Sequence, residues 1–275
     1  MGSNGQDAER AWAVVTGASS GLGREFALAL AERGKSVLAA ARREHRLHLL
    51  ADEVRTAGGQ LEPVIVDLST REGVDALLTR AAALDVDLLV NNAGVATYGA
   101  FTSLPRERAL ELIRVNVESV VALTHGLLPA MIERRRGGII NVASQMAFQP
   151  MPYFASYAAS KAFVLNFSEA LAEELRGTGV RVTVVAPGFV NTEFAAVAGS
   201  GQAERRLPHL EPRAVVETAL RAHDRGKTVK VAGGFYGFLT VAARFVPRAA
   251  LRRTMGRTLR PAEAASPSER RDSPA

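Results

Sequence analysis

The stretch TGASSGLG, Thr16–Gly23, follows directly on the apolar run Ala11–Val15 and opens a helix-like segment reaching Arg33. Three glycines in eight residues, set between a strand and a helix, mark a place where the backbone must turn sharply and come close to something. Backbone N–H groups and the positive end of a helix dipole converge there, which makes an anion site. Gly17 permits the tight turn, while Gly21 and Gly23 leave room for a pyrophosphate and for the neighbouring strand. No Gly-Lys-Ser/Thr follows, so a P-loop is excluded.

Outward from this stretch, short apolar runs alternate with longer amphipathic ones. Strands are expected at Ala13–Thr16, Ser36–Ala41, Pro63–Asp67, Asp87–Asn91, Gly138–Ser144, Arg181–Val185 and Thr228–Ala232. Helices are expected at Leu22–Arg33, Glu44–Ala57, Arg71–Leu84, Arg106–Arg135, Tyr157–Arg176 and Pro212–Arg225. The strands are apolar on both faces, as in a parallel sheet covered by helices. The expected fold is therefore α/β: a doubly wound, mostly parallel, Rossmann-like sheet in a single domain with a C-terminal helical extension. The boundaries expected are a flexible N-terminus over 1–10, the Rossmann-like catalytic domain over 11–234, a basic amphipathic extension over 235–260 and a disordered tail over 261–275. Residues Asn191–Leu210, small and polar, are expected to form a lid.

Composition narrows the function further. The 275 residues are 47% hydrophobic and include no cysteine, which excludes disulfides, thiolate metal sites and cysteine nucleophiles. No metal site is expected. There is no uninterrupted run of eighteen apolar residues, and the first ten residues lack the apolar centre of a signal peptide. Gln6 stands where a myristoylation motif wants Ser or Thr. A cytoplasmic protein is the expectation. The net charge of +6 is concentrated: Arg221–Arg260 carries ten basic residues and one acid, Asp224. A basic C-terminal segment without a binding motif argues against nucleic acid as a partner.

Further residues extend the reading of the glycine stretch. Thr-Gly-x-x-x-Gly-x-Gly is not the usual dinucleotide fingerprint. NNAG at Asn91–Gly94 closes the fourth strand, Asn116 lies in the long helix after it, and Ser144 ends the fifth strand. Tyr157 and Lys161 follow as Tyr-x-x-x-Lys, and PGFVNT at Pro187–Thr192 follows the sixth strand. In this order and spacing, the chain resembles the short-chain dehydrogenase/reductase family over roughly residues 11–232.

Tyr157 and Lys161 sit one helical turn apart and share a face. A free tyrosine, with a pKa of about 10, is a poor acid–base near neutrality; a neighbouring ammonium favours the phenolate. The pair is a credible proton donor and acceptor for carbonyl and alcohol chemistry. Ser144 is expected to hydrogen-bond the substrate oxygen. The resemblance implies that Asn116 holds a water in a proton relay with Lys161, and that Lys161 also touches the nicotinamide ribose. It also implies cofactor contacts from Thr16, Gly17, Ser19, Ser20, Gly21, Leu22 and Gly23. Asp67 is expected at the adenine, Asn92, Ala93 and Gly94 on the adenosine side, and Thr192 at the carboxamide; Leu68, Pro187, Gly188 and Val190 are expected among the other cofactor contacts.

The second strand ends in VLAAARRE. An NAD site usually offers Asp or Glu there, whereas Ala41 is followed here by Arg42 and Arg43. A guanidinium binds a 2′-phosphate that a carboxylate would repel, so NADP(H) is expected over NAD(H), with Arg42 as the main contact.

The substrate pocket is expected from Gln145–Phe154, Gly188–Leu210 and Ala96–Phe101. Met146, Phe148, Met151, Tyr153 and Phe154 lean it towards a lipophilic ketone or aldehyde. Two alternatives stand beside that reductase: a 3-oxoacyl thioester reductase, and a non-catalytic nucleotide-sensing or scaffold protein on the same fold. A homodimer or homotetramer is expected from the resemblance. Within 235–260, Phe235–Val246 is apolar, Pro247 should break the chain, and arginines recur every four residues from Arg244. Such a segment could make a peripheral membrane contact, cover the pocket, or pack on another subunit.

Overall fold

The computed structural model describes residues 11–194, 208–243 and 245–261. The flexible N-terminus expected over 1–10, most of the expected lid, Arg244 and the tail beyond Pro261 lie outside the described residues.

Seven parallel strands form one sheet: β1 (Trp12–Thr16), β2 (Ser36–Ala41), β3 (Gln60–Ile65), β4 (Val86–Asn91), β5 (Gly137–Val142), β6 (Val180–Pro187) and β7 (Val229–Ala232). Their order is β3-β2-β1-β4-β5-β6-β7. The order reverses between β1 and β4, and a crevice opens beyond the carboxyl ends of these strands.

The two-sided apolarity of the strands follows from the helices on both faces. Ala13 and Val15 of β1 point to one side, with Phe26 and Leu30 of α1 (Gly21–Glu32), Leu47 and Val54 of α2 (Glu44–Thr56), and Val216 and Leu220 of a late helix, Pro212–Asp224. Val14 points to the other, with Leu77 of α3 (Arg71–Ala82), Leu123 and Met131 of a helix over Ser119–Glu133, and Leu171 of another over Ala155–Glu174. Successive residues thus serve opposite cores, as a pleated strand requires.

Strand and helix boundaries differ from expectation in places with a physical cause. β3 starts three residues early because Gly58 and Gly59 end α2 sharply, and Gln60 then pairs with Ser36. β5 ends at Val142, so Ser144 is not a strand residue; it caps a 3₁₀ turn over Gln145–Phe148. The single helix expected over Arg106–Arg135 is interrupted. α4 (Arg106–Ile113) passes through a π turn at Arg114–Glu118 into α5 (Ser119–Glu133), and Asn116 lies in that turn. The composite spans 28 residues and is long and apolar enough, by length and composition, to cross a membrane. Here it packs on α3, β4 and β5, as a core helix does.

α6 (Ala155–Glu174) carries Tyr157 and Lys161, and α7 (Pro212–Asp224) covers β6 and β7. The extension forms α8 (Gly234–Ala243) and α9 (Arg248–Thr258), with Pro247 at the N-cap of α9. The chain breaks where proline was expected to break it.

Candidate active site

The glycine turn is tied to the end of β4 through one side chain. Thr16 Oγ1 donates to Val90 O at 3.2 Å and accepts from the N–H groups of Asn92 and Ala93, both at 3.0 Å. Asn92 Nδ2 donates to Thr16 O at 2.8 Å. The turn is therefore fixed against NNAG before any ligand arrives. Gly17 has φ +69°, and a Cβ there would lie 2.9 Å from Ala93 Cα. At Gly23 a Cβ would fall inside van der Waals contact of Gly17 O and Asn92 Nδ2, so this glycine lets α1 pack against the turn. Gly21, at φ +53°, faces Thr192, whose Cγ2 would lie 3.1 Å from a Cβ. The first N–H groups of α1 have no carbonyl within the helix to bond, and Gly21 and Leu22 line the crevice.

The crevice is a cavity of about 380 Å³. Its lining includes Gly17, Ser19 and Ser20 from the glycine turn, Ala41–Arg43 at the end of β2 and Val66–Leu68 after β3, together with Asn92–Val95, Ser144, Tyr157, Lys161 and Pro187–Val190 with Thr192. Of the predicted site residues, Thr16 and Gly23 fix the turn from behind, Asn116 lies beneath, and the rest line this cavity.

Lys161 is 5% exposed; its Nζ donates to Val142 O at 2.8 Å and lies 5.9 Å from the Tyr157 ring centroid. Burial pulls its ammonium down to about 8, so it remains protonated at neutrality. A Cβ on Gly94 would lie 3.3 Å from that Nζ and 3.4 Å from Asn116 Oδ1, so the glycine of NNAG makes room for the lysine. Asn116, fully buried, accepts from Val95 N–H and donates to Val95 O, each at 2.9 Å, and donates to Ser160 Oγ at 3.0 Å. Its amide pins the turn that carries Gly94. Ser144 Oγ accepts from Met146 N–H at 3.2 Å, which leaves its own hydroxyl hydrogen to donate into the cavity.

At the other end, Arg42 Nη1 lies 3.0 Å from Glu111 and 3.8 Å from Asp67. Burial alone would raise the Asp67 carboxyl; the N–H of Ser69 and the Arg42 guanidinium outweigh it and hold it below the ordinary value. Arg43, given no separate role from sequence, donates to Ser19 Oγ at 3.0 Å and also to Ser20 Oγ, and pairs with Glu193 at 3.1 Å. Two guanidinium groups thus flank the nucleotide end, and no carboxylate stands at the end of β2. The cleared backbone at Gly17 and Gly21, the helix N-terminus and the paired arginines fit the phosphate groups of a nicotinamide dinucleotide.

The substrate side differs in detail from expectation. Met146, Met151 and Phe154 cluster with Tyr157, Ala96 and Leu112. Phe148 does not join them; it packs on Ala147 and Val164 in a separate cluster under α6, so it is not a pocket residue. Phe101 is largely exposed. Three contacts were missed. Phe194 lies with its ring 5.7 Å from that of Tyr157, and Met255 and Leu259 from the C-terminal extension join the Met146–Phe154 cluster. Tyr98 Oη donates to Leu259 O at 2.9 Å and fixes that strap in place. The Tyr98 and Phe154 rings, 4.9 Å apart, pack in the same cluster. Of the expected lid, the described ends are zipped: Asn191 N–H donates to Leu210 O at 2.9 Å and Leu210 N–H to Phe189 O at 2.8 Å.

A model of the short chain dehydrogenase family matches residues 11–203. The chain belongs to the short-chain dehydrogenase/reductase family. An uncharacterized oxidoreductase of Myxococcus xanthus is 47% identical over 189 residues, covering 67% of this chain and 74% of the relative. A very-long-chain 3-oxoacyl-CoA reductase of Laccaria bicolor is 35% identical over 68% of this chain and 57% of its own length. Among solved structures, a short-chain dehydrogenase from Sphingobium yanoikuyae in complex with NADPH matches with TM-score 0.77 and 32% identity, over 93% of this chain and 99% of that one. A family member from Burkholderia phymatum in complex with NAD matches with TM-score 0.79 and 27% identity, over 84% and 92%. Both nicotinamide cofactors therefore occur on this short-chain dehydrogenase/reductase scaffold.

Proposed function

We propose that this short-chain dehydrogenase/reductase is an NADP(H)-dependent oxidoreductase that interconverts lipophilic ketones or aldehydes with their alcohols. The observation that carries the reading is one cavity joining two chemistries: Arg42 and Arg43 at one end, and Ser144, Tyr157 and Lys161 at the other.

NADP(H), when bound, supplies or accepts the hydride. The chain's own residues hold the reacting groups and manage the proton. The glycine turn and the α1 N-terminus would receive the pyrophosphate, and Arg42 with Arg43 the 2′-phosphate. Ser144 donates to the carbonyl oxygen. Tyr157 gives that oxygen its proton in reduction and takes it back in oxidation, while the buried, protonated Lys161 stabilises negative charge left on the phenolic oxygen. Met146, Phe154, Phe189 and Phe194 line the cavity and present an apolar surface to the rest of the substrate, with Met151 and Leu259 packed in the same cluster as Met146 and Phe154.

A second reading, reduction of a 3-oxoacyl thioester, is favoured by the Laccaria bicolor relative and suits the same apolar wall. A panel of ketones, aldehydes and 3-oxoacyl thioesters, followed by loss of NADPH absorbance, separates the two. Fastest turnover on free carbonyls supports the first reading, and on thioesters the second. No turnover on any of them, with cofactor bound, would leave a nucleotide-sensing protein.

A further inference from the structure

We propose that α8 and α9 form a docking face for an anionic lipid surface. α8 buries Tyr236 and Thr240 against the fold and turns its bulkier apolar side chains outward. Phe235 is 46% exposed, Phe238 70% and Val241 55%, and the following loop adds Phe245 at 84% and Val246 at 41%. Phe235, Phe238 and Val241 recur every three residues and so share one side of the helix. Phe235 keeps an edge contact with the buried Tyr236 ring, 5.4 Å between centroids, while Phe238, Val241 and Phe245 stay mostly open to solvent, more apolar surface in one place than a fold exposes without use.

The chemistry of the partner is set by charge. From Arg225 to Arg260 there is no Asp or Glu. On α9, Arg248, Arg252, Arg253 and Arg257 are exposed, and among the described residues none of them forms an ion pair. Elsewhere arginines are commonly matched, as in Arg42 with Glu111, Arg46 with Glu193 and Arg213 with Glu217. Phenylalanines beside arginines that have no ion pair among the described residues complement a surface with an apolar interior and negative headgroups. A second copy of this chain is a poorer occupant. A two-fold contact would set the same cationic helices near one another.

The face is continuous with the pocket wall. The Tyr236 ring lies directly on Gly188, its Oη donates to Pro208 O, and Met255 and Leu259 at the end of α9 join the Tyr157 cluster. Docking would therefore set the mouth of the apolar pocket close to the lipid. The face itself does not depend on the proposed carbonyl chemistry, and its test needs no turnover.

The test is co-sedimentation of the full chain with vesicles of phosphatidylcholine alone and of phosphatidylcholine mixed with phosphatidylglycerol. Binding should be at least about tenfold greater on the mixed vesicles and should fall with added salt. The pair Phe238→Ser and Phe245→Ser should reduce it by about tenfold or more, and the pair Arg252→Gln and Arg253→Gln should abolish the preference for anionic lipid. Cofactor binding should be unchanged in both variants, which shows that they fold. Wild-type protein that stays in solution with anionic vesicles would overturn the proposal, as would full binding by the serine pair. A serine pair that changes only the oligomer size, with no lipid binding by wild type, would make the face a subunit contact and also overturn it.

Discussion

Lys161→Met should leave stability near pH 7 almost unchanged while removing catalysis. Burial lowers the lysine from 10.5 to about 8 with the side chain 5% exposed. That shift means carrying the charge inside the fold costs about 3 kcal/mol at neutral pH. Methionine removes this cost, but leaves Val142 O without the ammonium, a loss of about 1–3 kcal/mol. The two nearly cancel. The sign with pH is fixed by the depressed folded value. Between about pH 8 and 10.5 the unfolded chain holds the lysine proton and the native chain does not, so stability rises with pH and falls again as pH drops through 8. From near pH 7 to near pH 9.5 wild type should gain about 2 kcal/mol relative to the methionine variant. Urea unfolding of both proteins at both pH values measures this, and the comparison cancels other groups that titrate there. Parallel stability–pH curves would refute the claim that Lys161 is a desolvated ammonium. Turnover should fall at least about a hundredfold near pH 7, where the native lysine is charged, and by less near pH 9.5, where wild type has lost that charge as well.

Gly23→Ala places a Cβ inside contact of Gly17 O, so α1 or the turn must shift; about 1–3 kcal/mol of stability and several degrees of Tm should be lost together with cofactor binding. Calorimetry with a cofactor titration checks it, and unchanged values for both would remove the packing role assigned to Gly23. Tyr157→Phe should keep cofactor affinity within about twofold yet lower kcat at least about a hundredfold, seen by NADPH oxidation with the best carbonyl of the panel. Turnover at the wild-type rate would take Tyr157 out of the proton transfer.

Much of the fold was legible because it rests on local patterns. Both-face apolar strands such as Val37–Ala41 belong to parallel sheets covered on both sides, and Thr16–Gly23 marks the β1–α1 turn. What escaped was set by distant contacts. The π turn at Asn116 depends on Val95 and Ser160, which approach from elsewhere in the chain. Phe148 and Phe154 look alike in sequence, but the 3₁₀ turn after Ser144 sends them into different clusters. Leu259 and Met255 reach the Met146–Phe154 cluster from a segment more than a hundred residues beyond Phe154, and no local periodicity announces it. Arg43 was visible beside Arg42, and only its bonds to Ser19 and Ser20 distinguish its task.

The most direct test of the central claim is titration of NADPH and NADH into the wild-type protein and into Arg42→Asp. Wild type should bind NADPH tenfold to a hundredfold more tightly than NADH, about what one or two charge-assisted bonds to a phosphate supply. Arg42→Asp should lose that advantage with NADH binding little changed. Equal affinity of wild type for both cofactors, or an equal loss of both in the variant, would contradict the account and leave Arg42 as a structural partner of Glu111 and Asp67.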